Sequence, residues 1–135
     1  MKFPLLVIIT TCMFMVLVHG SENAFPFRTY VAVRNDLGGG IALFTHCQSR
    51  DDDLGRRMLA NGESQNWSFI VNFQGSTLFW CRFKWNEVIK TVDIYNAQTM
   101  PASECVLRCH RSIRQDGIYF FSEKTESWYK KYSWD

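Results

Sequence analysis

The chain has 135 residues, with 15 Lys and Arg against 13 Asp and Glu, a formal charge of +2 and 16% aromatic residues. A balance this close to neutral leaves no electrostatic footprint for nucleic acid, and the charges are interspersed rather than blocked, as in Glu123-Lys124-Thr125-Glu126. The length suits one compact domain and is too short for two.

In chain order, residues 1–20 read as a secretory signal peptide: Lys2, an almost unbroken apolar stretch from Phe3 to Val18, then Val18-His19-Gly20 before the cleavage point. As a retained membrane anchor the segment is on the short side of the ~20 residues a bilayer needs, and no basic flank follows it. Cleavage leaves residues 21–135 as a single domain with 14 basic against 13 acidic side chains and no membrane-inserting segment. Residues 30–35 alternate weakly and stop at Asn35-Asp36-Leu37-Gly38-Gly39-Gly40, a turn. Residues 41–48 set Ile41, Leu43, Thr45 and Cys47 against Ala42, Phe44, His46 and Gln48. After a polar stretch, residues 56–61 are expected to contain a helical turn, and Asn61-Gly62 punctuates again. Residues 66–73 place Trp67, Phe69, Val71 and Phe73 on one face, and residues 77–85 do the same with Phe79, Cys81, Phe83 and Trp85. Residues 87–95 form a weaker strand and 96–103, with Pro101, a loop. Residues 104–114 and 118–121 read as a hairpin around Gln115-Asp116-Gly117, and 127–134 as a closing aromatic strand. No segment sustains a 3.6 period, so short strands between frequent turns predict an all-β fold, a small antiparallel β-sandwich.

Cys12 falls in the signal peptide. Cys47, Cys81, Cys105 and Cys109 remain, and in an oxidising compartment they predict two disulfides. If the segment holding Cys105 and Cys109 is extended, the two lie about 13 Å apart, beyond the ~7 Å that a bridge spans. Each is therefore expected to bond to Cys47 or Cys81, in one of two crossed arrangements. A zinc site from His46, Cys47, Cys109 and His110 lacks the close ligand pairs of zinc modules, so no metal is expected. Asp51-Asp52-Asp53 does not follow the EF-hand pattern, because Gly55 comes too early and Gly62 stands where the closing Glu belongs. The expected role is a solvated turn in which one Asp caps a short helix starting near Leu54. No catalytic motif is present, and no cofactor or enzyme activity is expected. Asn66-Trp67-Ser68 is a glycosylation sequon.

Together these residues resemble the plant self-incompatibility protein family, the S-proteins and their homologues, from about Tyr30 to Trp134. The resemblance is carried by Val31-Ala32-Val33-Arg34-Asn35-Asp36-Leu37, by His46-Cys47-Gln48-Ser49-Arg50-Asp51-Asp52-Asp53-Leu54-Gly55, and by Trp67-Ser68-Phe69 and Thr77-Leu78-Phe79-Trp80-Cys81. Cys105, Cys109 and Arg114-Gln115-Asp116-Gly117-Ile118-Tyr119 complete it. One departure is Arg111, where the family often carries Trp. The resemblance implies a secreted β-sandwich acting as an extracellular ligand for a cell-surface receptor, in pollen rejection or other cell-to-cell signalling. Receptor contact is expected at the polar loops, through Arg50, Asp51, Asp52 and Asp53 and through Arg114, Gln115 and Asp116, with the protein a monomer. The competing expectation is a secreted defence protein that acts on membranes or inhibits a foreign enzyme.

Overall fold

The structure is a computed structural model, describing residues 27–100 and 104–135. The expected signal peptide of residues 1–20, Cys12 and Pro101 lie outside the described residues. Nine strands form: β1 (Thr29–Asn35), β2 (Leu43–Gln48), β3 (Asp53–Leu59), β4 (Ser64–Phe69), β5 (Leu78–Trp85), β6 (Val88–Asn96), β7 (Arg108–Arg114), β8 (Gly117–Ser122) and β9 (Ser127–Tyr132). They make two sheets, β4-β1-β7-β8-β9 and β3-β2-β5-β6. The all-β sandwich is as expected. Within it, β1 and β7 run parallel while every other neighbouring pair is antiparallel.

Period-two alternation builds the core. Phe79, Cys81, Phe83 and Trp85 of β5 turn inward, and Arg82 and Lys84 turn out. Val31 and Val33 from β1, Leu43 from β2, Ile94 from β6, Ile113 from β7 and Ile118 from β8 are fully buried between the sheets. Each such side chain contributes roughly 1.5–3 kcal/mol of burial free energy.

Residues 56–61 do not form a helical turn. Residues 53–59 are strand, pairing Leu59, Met58, Arg57 and Arg56 with Leu43, Phe44, Thr45 and His46. The free edge of β2 supplies backbone partners that an isolated turn lacks, and pairing overrides the poor alternation of Leu54-Gly55-Arg56-Arg57. Leu54 and Gly55 both stand opposite Cys47, where the register shifts. Gly55 takes a φ of +82° there, the left-handed conformation that a bulge of this kind requires of glycine. Asp53 therefore caps no helix: its carboxylate accepts the Gly55 N–H at 2.9 Å and meets His46 Nε2 at 2.8 Å.

The crossed disulfide pairing is overturned. Cys47 bonds to Cys81 and Cys105 to Cys109. Cys47 and Cys81 are direct cross-strand partners on β2 and β5, with Cα atoms 4.0 Å apart. The second pair forms because its segment is not extended. β7 begins only at Arg108, and residues 105–107 bend so that the two Cα atoms come within 5.2 Å. The bend is fixed from across the sheet: Glu123 Oε1 accepts the N–H groups of Val106, Leu107 and Arg108 at 2.7, 3.0 and 3.0 Å. A carboxylate oxygen taking three backbone donors satisfies groups that a β ladder would otherwise have paired.

Candidate interaction surfaces

Strand direction decides which loops share an end of the sandwich. Asn35 Nδ2 donates to the carbonyls of Ile41 and Leu59, both at 2.9 Å, and Gln115 Nε2 donates to the Leu37 carbonyl at 2.8 Å. The end of β1, the start of β2, the end of β3 and the β7–β8 turn thus meet at one end. β2 runs away from that end, so residues 49–52 lie at the other, about 3.3 Å further per strand residue. The two loops expected to contact a receptor are on opposite ends of the molecule.

At the hairpin end the candidate side chains are engaged internally. The Arg114 guanidinium stacks 4.0 Å from the Tyr119 ring centroid, and its Nε donates to Ser112 Oγ at 3.0 Å. Asp116 accepts the Tyr119 hydroxyl at 2.7 Å and lies 3.7 Å from Lys130 Nζ. The hydrogen bond from Tyr119 holds the Asp116 carboxyl below its ordinary value, with help from Lys130, and in return raises the Tyr119 phenol.

The far end is different. Arg50, Asp51 and Asp52 are exposed, and the one ion pair among them, Arg50 to Asp51 at 3.9 Å, joins side chains that are 93% and 87% exposed. Such a pair adds almost nothing to stability. The fourth candidate, Asp53, is drawn into β3, where the Gly55 N–H and then His46 hold its carboxyl below the usual range. Beside residues 49–52 lies the β4–β5 loop, and a cleft of about 590 Å³ separates the two. Alternation over residues 66–73 placed Phe73 on one strand face with Trp67, Phe69 and Val71. β4 instead ends at Phe69, and Phe73 stands wholly in solvent at 104% exposure. Asn72 builds the pedestal. Its N–H donates to Thr77 Oγ1 at 2.8 Å, its carbonyl accepts the Gly75 N–H at 3.0 Å, and its side chain accepts the Ser76 N–H and donates to Ser76 Oγ. Asn in a run ending Gly-Ser-Thr is turn chemistry, and that signal marks Phe73 as a tip residue.

A third surface combines cations with apolar side chains. On the outer face of the four-stranded sheet, register aligns Met58, Phe44, Lys84 and Ile89 in one row and Arg56, His46, Arg82 and Thr91 in the next. Met58, Phe44 and Ile89 are 64%, 48% and 50% exposed. Asn66 lies on the edge strand β4 with its side chain outward and exposed. Among the described residues, no group of three or more His, Cys, Asp or Glu is placed to hold a metal ion, and no helix is long and apolar enough to cross a membrane.

A family model described as plant self-incompatibility protein S1 matches residues 30–134. S-protein homolog 2 of Arabidopsis thaliana is 38% identical over 119 residues, covering 85% of this chain and 74% of the relative. S-protein homolog 24 of the same plant is 41% identical over 117 residues, covering 84% and 75%. Among solved structures, one described as that of self-incompatibility protein homologues, "a widespread family of small, highly stable, secreted proteins from plants", superposes with a TM-score of 0.57. It is 24% identical, covers 73% of this chain and 87% of that one, and shows the shared fold.

Proposed function

The chain belongs to the plant self-incompatibility protein S1 family, and from that premise we propose that it is a secreted, monomeric protein ligand, without catalytic activity or cofactor, recognised by a cell-surface receptor. The single observation that carries this reading is Phe73, a fully exposed aromatic ring on a hydrogen-bonded pedestal beside the acidic loop of Arg50, Asp51 and Asp52. A large apolar side chain held in water gains little for the fold, whereas aromatic anchors surrounded by polar groups dominate interface energetics. The matching receptor surface is an apolar pocket rimmed by basic side chains. Because Gln115 and Asp116 are engaged within the molecule, the receptor contact is assigned to the far end rather than to the β7–β8 turn. Asn66, exposed on an edge strand, is open to glycosylation without disturbing the core.

Saturable binding of the labelled protein to responsive plant cells tests the proposal. Phe73→Ser should weaken binding by roughly thirtyfold, the effect of a hot-spot side chain. Asp51→Lys with Asp52→Lys should slow association, and Glu87→Lys at the opposite end should change nothing. Equal binding by all four proteins contradicts the reading.

The outer face of the four-stranded sheet favours a second reading. Arg56, Arg82 and Lys84 lie beside exposed Phe44, Met58 and Ile89, an amphipathic surface suited to an anionic bilayer despite the near-neutral chain. Leakage of phosphatidylserine vesicles that Arg82→Glu with Lys84→Glu abolishes would select this reading. Intact vesicles would dismiss it.

A further inference from the structure

The five-stranded sheet carries a hollow on its outer face that neither reading uses, and we infer that it binds an acidic oligosaccharide, a sugar chain bearing carboxylates. Register defines the hollow. Asn66, Ala32 and His110 lie side by side across β4, β1 and β7, with Tyr30 and Arg108 in the row on one side and Arg34 and Ser112 in the row on the other. Ala32 contributes only a methyl group between these larger neighbours, and the depression above it encloses about 910 Å³.

Its charge is positive. Arg34 pairs with Asp36 at 3.0 Å, and Ser112 Oγ donates to the same carboxylate. Arg108 and Arg114 take part in no ion pair among the described residues. Each is held against aromatic rings instead, Arg108 at 5.8 Å from the Tyr30 centroid and Arg114 at 4.0 and 5.4 Å from those of Tyr119 and Trp128. Stacking on Tyr119 restrains the Arg114 guanidinium, while Arg108 lies within cation–π reach of Tyr30. The Arg114 Nε is engaged by Ser112 Oγ, and its two terminal nitrogens are left to face a carboxylate. The two guanidiniums flank the hollow, so anionic groups on successive units of a chain would meet one and then the other.

The occupant is a sugar rather than a peptide because of where the hollow lies. β1 is paired to β4 and β7 along its length, and β7 to β1 throughout and to β8 from Arg111 onward, so the floor under Ala32 offers a peptide no strand edge. A peptide laid there would find no ladder to join, as β-augmentation requires a free sheet edge. What the floor and rim offer are the side chains of Asn66, Ser64 and His110, hydrogen-bonding partners for hydroxyl groups, and the ring of Tyr30 for the apolar face of a sugar.

The test is a titration of the isotope-labelled protein, produced in bacteria so that Asn66 carries no glycan. The probes are a galacturonate hexamer, its neutral glucose counterpart and hexaglutamate, followed by amide shifts and calorimetry. The galacturonate hexamer should bind and shift the amides of Ala32, His110 and Ser112, with affinity falling as salt rises. Arg108→Gln with Arg114→Gln should weaken binding by roughly a hundredfold, tenfold for each guanidinium–carboxylate pair removed. Ala32→Leu, which fills the hollow and keeps every charge, should also abolish binding, and it carries the test if the double variant fails to fold. Phe73→Ser should leave sugar binding intact, separating this site from the receptor contact. Equal binding of hexaglutamate, full binding by Ala32→Leu, or shifts confined to other surfaces would each overturn the inference.

Discussion

Arg111 lies over Phe120, its guanidinium carbon 3.6 Å from the ring centroid, at 1% exposure. It occupies the position where the family resemblance leads one to expect Trp. Its Nε donates to the Ile94 carbonyl at 3.0 Å and one terminal nitrogen to the His110 carbonyl at 3.2 Å. The other terminal nitrogen points at Met100 Sδ and Cys105 Sγ, 3.7 and 3.9 Å away. Among the described residues no carboxylate reaches ion-pair distance. Glu104 acts from one step away, accepting the Tyr129 hydroxyl at 2.6 Å. Burial pushes the guanidinium down to about 10, against the support of Tyr129, Glu104, Tyr132 and Tyr95. The cation replaces an aromatic side chain by lying over the Phe120 ring and donating to the Ile94 carbonyl of β6.

Arg111→Met keeps the stem and removes a charge buried without a carboxylate partner. Its stability in urea should lie within about 1 kcal/mol of the parent or above it. Both variants leave the Ile94 carbonyl without its donor; Arg111→Ala adds a cavity and should lose about 3 kcal/mol. Equal losses would show that the charge itself stabilises the fold.

Glu123 sets the bend that brings Cys105 to Cys109. Glu123→Ala leaves three N–H groups without their acceptor and should cost about 2 kcal/mol, with the 105–109 bridge reduced faster by dithiothreitol. Glu123→Gln keeps an oxygen acceptor and should lose less.

Peptide mapping of the non-reduced protein should recover Cys47 linked to Cys81 and Cys105 linked to Cys109. The bridges differ in worth, because they close segments of 34 and 4 residues. Replacing Cys47 and Cys81 by Ala should cost about 3–4 kcal/mol in the chain-entropy model, against about 2 for the shorter loop.

Alkali should unfold the protein. Burial raises the phenols of Tyr95, Tyr129 and Tyr132, with Glu104 adding to the effect on Tyr129 through its hydrogen bond. Below pH 10 both folded and unfolded states hold these protons. Above it the unfolded chain releases them first and binds fewer than the native state, so stability falls as pH rises. Arg111, shifted downward, acts in the opposite sense but is one group against three. A melting temperature that drops above pH 10, and drops less steeply in Tyr129→Phe, is the expected result.

The strands were legible where alternation was clean, as in Phe79, Cys81, Phe83 and Trp85, and the Asp116-Gly117 hairpin was marked by its turn residues. Three features were not. β3 has no pattern of its own and exists because β2 has an edge to fill. The pairing of Cys105 with Cys109 depends on a bend stabilised by Glu123, distant in sequence, so reasoning from an extended segment paired all four cysteines wrongly. Clustering of cations on one sheet face follows from register, which net charge does not reveal. The candidate site divides in the same way. Arg50, Asp51 and Asp52 are exposed loop residues as expected, while Phe73 alternates like a core residue and is carried outward by the turn chemistry of Asn72.

Photo-crosslinking from the tip identifies which end of the sandwich meets the receptor. The Phe73→benzoylphenylalanine protein, irradiated on responsive cells, should capture one membrane protein, in competition with the unlabelled chain. The same group at Glu87, on the opposite end, should capture none. Capture from position 87 and not 73, or none from either while binding persists, would contradict recognition through the far end of the sandwich.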